Sequence, residues 1–366
     1  MAPLLSAALI VRDEAEHLRR CLESLAGLVD EIVVVDTGST DASPEVAAGF
    51  GAVVVRRPWD DDFSAARNHG LDHVSGTWVL YIDADEYVAE ADARAVRDEL
   101  ESDTRHVAYR LRLRANAGFT PYWEYRVWRH RSDLRFRGVI HESHVRAIRR
   151  IAEAEALLVG HLDVLVDHDG YEGDQTAKHL RNLPLLEAQI RQDPKRTYLW
   201  DHLARVHQAL GHDDEALAAW RHAVALVREE GVQEQVDCLC YLDLIVVGAS
   251  AGRPDPELVG EADRLFPENV LILWAGALDA AARGSHAEVI DRIDRMWAVD
   301  PEETARAALT VNQRILTDWG HHARGLAWFH LGDFAAAAAD FSSAETAAPE
   351  VAEYRVKRLL ADARLR

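Results

Sequence analysis

Thr77-Trp78-Val79-Leu80-Tyr81-Ile82-Asp83-Ala84-Asp85-Glu86 is the stretch on which the fold turns. Residues 77–82 are an apolar run of strand length, and three carboxylates follow it at once. Three similar runs precede it: 5–11, then 31–36 with Ile32-Val33-Val34-Val35, then 52–55. The β-branched run at 32–35 suits a strand buried on both faces. Between the first two runs, Leu18, Cys21, Leu22 and Leu25 recur at helical spacing. Asp41 or Ser43 is placed to cap a second helix, and Ser64 a third running to His73. Strand–helix alternation predicts a parallel, doubly wound sheet. Such sheets bind ligands beyond the carboxyl ends of their strands, where Asp36, Asp83 and Asp85 stand. Carboxylates at 83 and 85 suit a hard divalent cation, Mg²⁺ or Mn²⁺. A cation beside a nucleotide crevice points to chemistry on a phosphorylated donor.

Past residue 105 the pattern changes. Residues 107–113 alternate, with Val107, Tyr109, Leu111 and Leu113 against Arg110 and Arg112, as in a half-exposed strand. Residues 122–131 are aromatic and arginine-rich, and 134–142 and 157–167 read as further strands, giving a mixed sheet. From about Asp174 the chain turns helical and alanine-rich. One unit there carries Trp200, Leu203, Ala204, Gly211, Ala216, Trp220 and Ala223. Another carries Gly325, Trp328, Gly332, Ala337, Phe341, Ala344 and Pro349 at matching offsets. Gly284, Met296 and Pro301 fit the same frame, and Gly252 marks a weaker unit. These spacings resemble tetratricopeptide helix pairs, in which small residues let helices approach and aromatics fill the holes. The expected organisation is an α/β domain over 1–173 and an all-α repeat domain over 174–366.

A formal charge of −21 over 366 residues argues against general nucleic-acid binding, which needs a basic face. No run reaches the roughly 18 apolar residues of a membrane span, and the N-terminal residues read as a first strand, so a cytoplasmic location is expected. Cys21, Cys238 and Cys240 lack a second Cys pair for a structural zinc site and read as small buried thiols.

Taken together, these motifs resemble family-2 glycosyltransferases with the GT-A (Rossmann-like) fold. The matching residues are Asp36 in Val34-Val35-Asp36-Thr37-Gly38-Ser39-Thr40-Asp41, Ala66-Arg67-Asn68, and Asp83-Ala84-Asp85. The stretch Trp59 to Asn68, Arg135 to Glu142 and His168-Asp169-Gly170-Tyr171 narrow the likeness. They resemble the soluble group that includes bacteriocin-peptide S-glycosyltransferases and lipopolysaccharide-core β-glucosyltransferases. Arg12-Asp13-Glu14 departs from it, since many relatives have an asparagine before the glutamate.

The resemblance implies a metal-dependent, inverting transfer of a hexose from a UDP-sugar. Val11, Glu14, Asp36, Arg67, Asn68 and Asp83 would bind the nucleotide-sugar, with Asp36 accepting the uracil N3–H. Arg67 is a candidate phosphate clamp, or a bidentate partner that fixes Asp36, and Asn68 a hydrogen bonder behind it. Asp85 would ligate Mn²⁺ or Mg²⁺, with His141 and His168 as rival further ligands, and Asp83 would reach the ribose or the metal through water. Glu142 is the candidate general base. His141 and Glu142 can serve together only if their strand ends or bulges there, because strand neighbours face opposite ways. Trp123, Tyr125 and Tyr171 are candidates for a sugar or acceptor platform, and Arg126 and Arg129 for the diphosphate.

For Asp36 the competing structural reading is a residue that caps its own turn, for Arg67 and Asn68 a solvated helix face, and for the aromatics a core row. The repeats suit a peptide or protein acceptor offering Cys, Ser or Thr, with a saccharide, natural-product or lipid-linked acceptor as the alternative. They are equally the expected place for a homodimer contact. Two other classes compete: a decayed transferase domain supporting a repeat scaffold, and a nucleotidyltransferase. The intact acidic motifs oppose the first. The acidic, glycine-free Leu9-Ile10-Val11-Arg12-Asp13-Glu14 opposes the second.

Overall fold

The computed structural model describes residues 2–169 and 175–366. Two compact units divide them: residues up to Ala117 with Pro121–Pro194, and Gly118–Thr120 with Lys195–Arg366.

The first unit is built on one eight-stranded sheet. Its elements are β1 (Leu5–Val11), α1 (Ala15–Ser24), β2 (Glu31–Asp36), α2 (Ser43–Gly49), β3 (Val53–Arg56), α3 (Phe63–Leu71), β4 (Trp78–Tyr81), β5 (Glu86–Ala91), α4 (Ala93–Ser102), β6 (His106–Arg114), β7 (Tyr122–Arg129), α5 (Val145–Glu155), β8 (Leu158–His168) and α6 (Thr176–Gln192). The strand order is β3-β2-β1-β4-β7-β6-β8-β5. The first four strands are parallel, and β7 joins β4 antiparallel. The mixed α/β sheet read from the sequence is therefore present. Successive strand side chains go to opposite faces. Leu5, Ala7, Leu9 and Val11 meet Leu18 and Leu22 of α1, Val46 of α2 and Leu100 of α4. Ala8, Val33 and Val79 meet Leu71 of α3 and Ile148 and Ile151 of α5. The helices thus switch face between β1 and β4, which opens a crevice at the carboxyl ends of those strands.

Several local readings change. The helix after the acidic loop is capped by Asp62, which accepts from Ala65 N at 2.9 Å; Ser64, read as the cap, instead donates to Gly138 O at 2.7 Å. Residues 134–142 are a loop rather than a strand. A single bridge, Arg137 to Ser143, closes it. Gly138 (φ 105°) and His141 (φ 49°) reverse its direction with left-handed backbone. The first compact unit runs through α6 to Pro194, and Gln189 of α6 accepts from Val139 N at 2.8 Å.

The second unit is helical: α7 (Thr197–Ala209), α8 (Asp213–Glu230), α9 (Cys238–Ser250), α10 (Pro256–Leu265), α11 (Val270–Ala282), α12 (His286–Ala298), α13 (Pro301–Arg306), α14 (Gln313–Leu316), α15 (Asp318–Leu331), α16 (Phe334–Ala347) and α17 (Ala352–Arg364). Left-handed Gly211, Gly252, Gly284 and Gly332 make the turns between paired helices. At Gly325 an added Cβ would stand 2.9 Å from the Phe341 ring, so glycine lets α15 and α16 approach closely. The three cysteines are buried and free. No helix among the described residues is long and apolar enough to cross a membrane.

Candidate active site

Four segments of the first unit supply most of the site, and β7 and β8 add Arg126 and His168. The first two are the β1–α1 and β2–α2 loops, which side chains knit together. Asp13 (φ 56°) accepts from Thr40 N at 2.6 Å and Thr40 Oγ1 at 3.0 Å. Ser43 Oγ accepts from Glu14 N at 2.9 Å, and Asp41 from Ala15 N at 3.0 Å and Ser43 N at 2.9 Å. Asp41 is thus a structural tie. Val11 is buried opposite Asp36 in the parallel register, and its carbonyl accepts from Thr37 N at 3.0 Å. The Glu14 carboxylate pairs with His17 Nδ1 at 2.7 Å. Asp36 is buried, and its Oδ1 accepts from Ser39 N at 2.9 Å and Gly38 N at 3.3 Å. Asp36 therefore caps its own turn, whatever else it binds.

The third segment is α3 with the 134–144 loop. Asn68 and the Phe136 backbone exchange two hydrogen bonds, Nδ2 to O and N to Oδ1, each 2.9 Å. Phe63 N donates to Val139 O at 2.9 Å. The Asp62-Phe63-Ser64 and Arg67-Asn68 motif is thus the clamp that shapes the loop carrying Glu142. The Asn68 amide is thereby spent on the Phe136 backbone. Arg67 does not reach Asp36. It is buried, with Nε donating to Glu142 Oε1 and one terminal nitrogen to Asp83 Oδ1 at 2.9 Å; its other terminal nitrogen is buried without a partner. The helix-start position read as a phosphate or Asp36 contact is the pivot that ties the base candidate to the acidic motif.

The fourth segment is the end of β4 and the start of β5. Tyr81 OH donates to Asp83 Oδ2 at 3.1 Å, so both Asp83 oxygens are engaged. Burial pushes the Asp83 carboxyl up, but Arg67 and Arg126 outweigh it and hold it below the usual carboxylate range. The Tyr81 ring lies between two guanidinium groups, Arg67 at 4.3 Å and Arg126 at 4.4 Å. Arg126 does not face solvent. It forms a two-bond pair with Glu86, each bond 2.8 Å, and also binds Glu124. Glu86 in turn accepts from Asp83 N at 2.8 Å, and burial pushes its carboxyl up to about 7 against the pull of Arg126. Arg129 is spent on Asp103 and the His106 carbonyl. Neither arginine is thus free for a diphosphate. Tyr81 and Glu86 are the residues that sequence reasoning missed, and Arg126 was singled out for a different partner. Tyr81 stands two before Asp83, so it shares that residue's face, which was the one available signal.

Asp85 Oδ2 lies 3.2 Å from His168 Nε2. Burial lowers the His168 imidazole, and the Asp85 bond more than restores it, leaving it raised. Among the described residues, no three His, Cys, Asp or Glu side chains gather as a ready metal cluster. A 3.2 Å separation is near the edge of an octahedral shell, about 3 Å for bonds of roughly 2.0–2.2 Å. Two protein ligands, with donor phosphate and water for the rest, fit an ion of the Mg²⁺ type, and the imidazole nitrogen favours Mn²⁺.

The platform residues separate. Tyr125 is core: it is buried with Trp128 and accepts from Arg110 at 2.7 Å, so it offers no face to a ligand. Trp123 packs edge-on against His161 at 4.6 Å. Tyr171 lies outside the described residues.

Residues 6–151 match the family model described as Glycosyl transferase family 2. A TPR repeat-containing protein of Synechococcus elongatus is 31% identical over 304 residues, covering 80% of this chain and 68% of that protein. The SPbeta prophage-derived glycosyltransferase SunS of Bacillus subtilis is 25% identical over 237 residues, and the chain spans only about half of it, 52%, while 59% of the chain is matched. Glucosyl-3-phosphoglycerate synthase from Mycobacterium tuberculosis aligns over 52% of this chain and 79% of its own, at TM-score 0.39 and 16% identity, too distant to carry an argument.

Proposed function

The chain belongs to glycosyl transferase family 2 and carries tetratricopeptide-like repeats, and from that premise we propose that it moves a hexose from a UDP-sugar to a nucleophilic side chain of a peptide or protein, with inversion and with a bound divalent cation. One observation carries the reading: Arg67 ties Glu142 and Asp83 into one cluster, beside the Asp85–His168 pair. Asp36, fixed by its own turn at the end of β2, is the uracil acceptor, with Val11 and Glu14 on the neighbouring loop. Asp83, held by Arg67 and Tyr81, meets the ribose. Asp85 and His168 would hold Mn²⁺ or Mg²⁺, whose charge would offset that growing on the leaving diphosphate.

Glu142 Oε2 takes the acceptor proton, while the Arg67 bond to Oε1 keeps the carboxylate aimed. A base of this kind works within about 2.6–3.2 Å of the proton donor. The sugar passes in a single in-line displacement, from diphosphate oxygen to the acceptor atom. A Cys, Ser or Thr acceptor is supported by the repeats, whose family architecture presents surfaces to peptide segments, and by the motif likeness described above.

The test is turnover of UDP-, GDP- and dTDP-sugars with Mn²⁺, Mg²⁺ or EDTA. The expected result is metal-dependent cleavage of one UDP-sugar, lost by about 100-fold or more in Asp85→Asn. Glu142→Gln should keep UDP binding in calorimetry yet lower acceptor transfer by about 10²–10⁴. Full activity of Asp85→Asn in EDTA would overturn the cation's role. Offering cysteine, serine and threonine peptides beside free saccharides would then separate the two acceptor classes.

A further inference from the structure

The last helix, α17, has two apolar faces. Tyr354 and Ala361 are buried against the repeats. On the opposite side, Ala352, Val356, Leu359 and Ala363 follow one another at spacings of four, three and four, and all are exposed. Val356, Leu359 and the adjoining Leu360 are each about half exposed, at 52%, 51% and 52%. At about 100° per residue this row points directly away from Tyr354 and Ala361. The spacing is that of the a and d positions of a coiled coil.

The charges beside the row say what covers it. Arg355 and Asp362 lie on one flank of it, seven residues apart and of opposite sign. We propose that α17 pairs antiparallel with α17 of a second copy of this chain, making a two-fold dimer. In that arrangement Val356 of each copy meets Leu359 of the other, and the alanines at 352 and 363 close the two ends. Arg355 of each copy then faces Asp362 of the other, so the two-fold axis makes the opposite-charge contact twice. A parallel pairing sets the same flank against Leu360 and Glu353 and gains no such match. The stripe is self-complementary in shape and charge only when the helices run in opposite directions.

Sedimentation of the full-length chain across the micromolar range tests this. The wild type should sediment as a concentration-dependent dimer, and Val356→Glu/Leu359→Glu as a monomer with unchanged circular dichroism, since both positions are exposed. Arg355→Asp sets acid against acid and should weaken the dimer by roughly tenfold. Asp362→Arg sets base against base with the same effect. An equimolar mixture of these two single variants should recover wild-type affinity, because only the mixed dimer restores both contacts. A monomer at every concentration, a dimer indifferent to the glutamate substitutions, or a mixture no tighter than its components would each overturn the proposal.

Discussion

His144 is packed between Trp128 and Phe136, with ring centroids 4.2 and 4.7 Å away, and burial, helped by Arg126 and Arg67, pushes its imidazole down to about 3. The unfolded chain binds that proton near 6.5, so the neutral ring contributes stability fully above 6.5 and loses it as the pH falls towards 3. The expected slope is up to about 1.4 kcal/mol per pH unit across that window. His144→Phe keeps the aromatic packing and removes the buried, unpartnered Nε2, so its unfolding free energy should vary less with pH between 6 and 4 than the wild type's. Urea titrations at several pH values check this, and parallel profiles would refute it. Of the individual residues, Asp36, Asp83 and Asp85 were legible because each follows an apolar strand. Arg67 was legible as important and misplaced in its contacts. Its partners lie 16 and 75 residues away, and no periodicity reports such a distance.

At the scale of elements, β1 to β4 and the helices between them follow from local pattern alone. Each strand is built on a short apolar run with polar residues or a turn after it. The 134–142 segment misled for an instructive reason. Leu134, Phe136 and Ile140 are buried at even spacing, as strand residues would be. They are buried because α3 clamps the loop over them, and that clamp is tertiary. Asn68→Ala would leave both the N–H and the carbonyl of Phe136 unpaired, at a cost of about 2–4 kcal/mol. Hydrogen exchange at Phe136 should quicken, and transfer should slow while UDP binding changes little, since the loop carries Glu142. Unchanged exchange at Phe136 would show that other contacts hold the loop. The short β5 was also missed: Glu86 opens it as a buried acid, which sequence patterns assign to the surface.

Over the whole molecule, the repeat frame was readable from glycine and aromatic offsets, and the structure places Gly211, Gly252, Gly284 and Gly332 at the helix turns and Gly325 inside α15. The end of the first unit was less so, since α6 is helical like the repeats yet bonds to the Val139 backbone. With two compact units, calorimetry should show two transitions, of which UDP with Mn²⁺ raises one. A single transition, or an equal rise in both, would argue against donor binding confined to the first unit. The acidic cluster has a last consequence. Arg67 and Arg126 are two positive charges set among Asp83, Asp85, Glu86 and Glu142, in a chain whose formal charge is −21. On the function proposed above, a bare nucleotide diphosphate would therefore be repelled at long range by the chain's net charge. Donor capture would then be a matter of counterions: screening salt would quicken the encounter, and the donor would arrive most readily with its charge already cancelled.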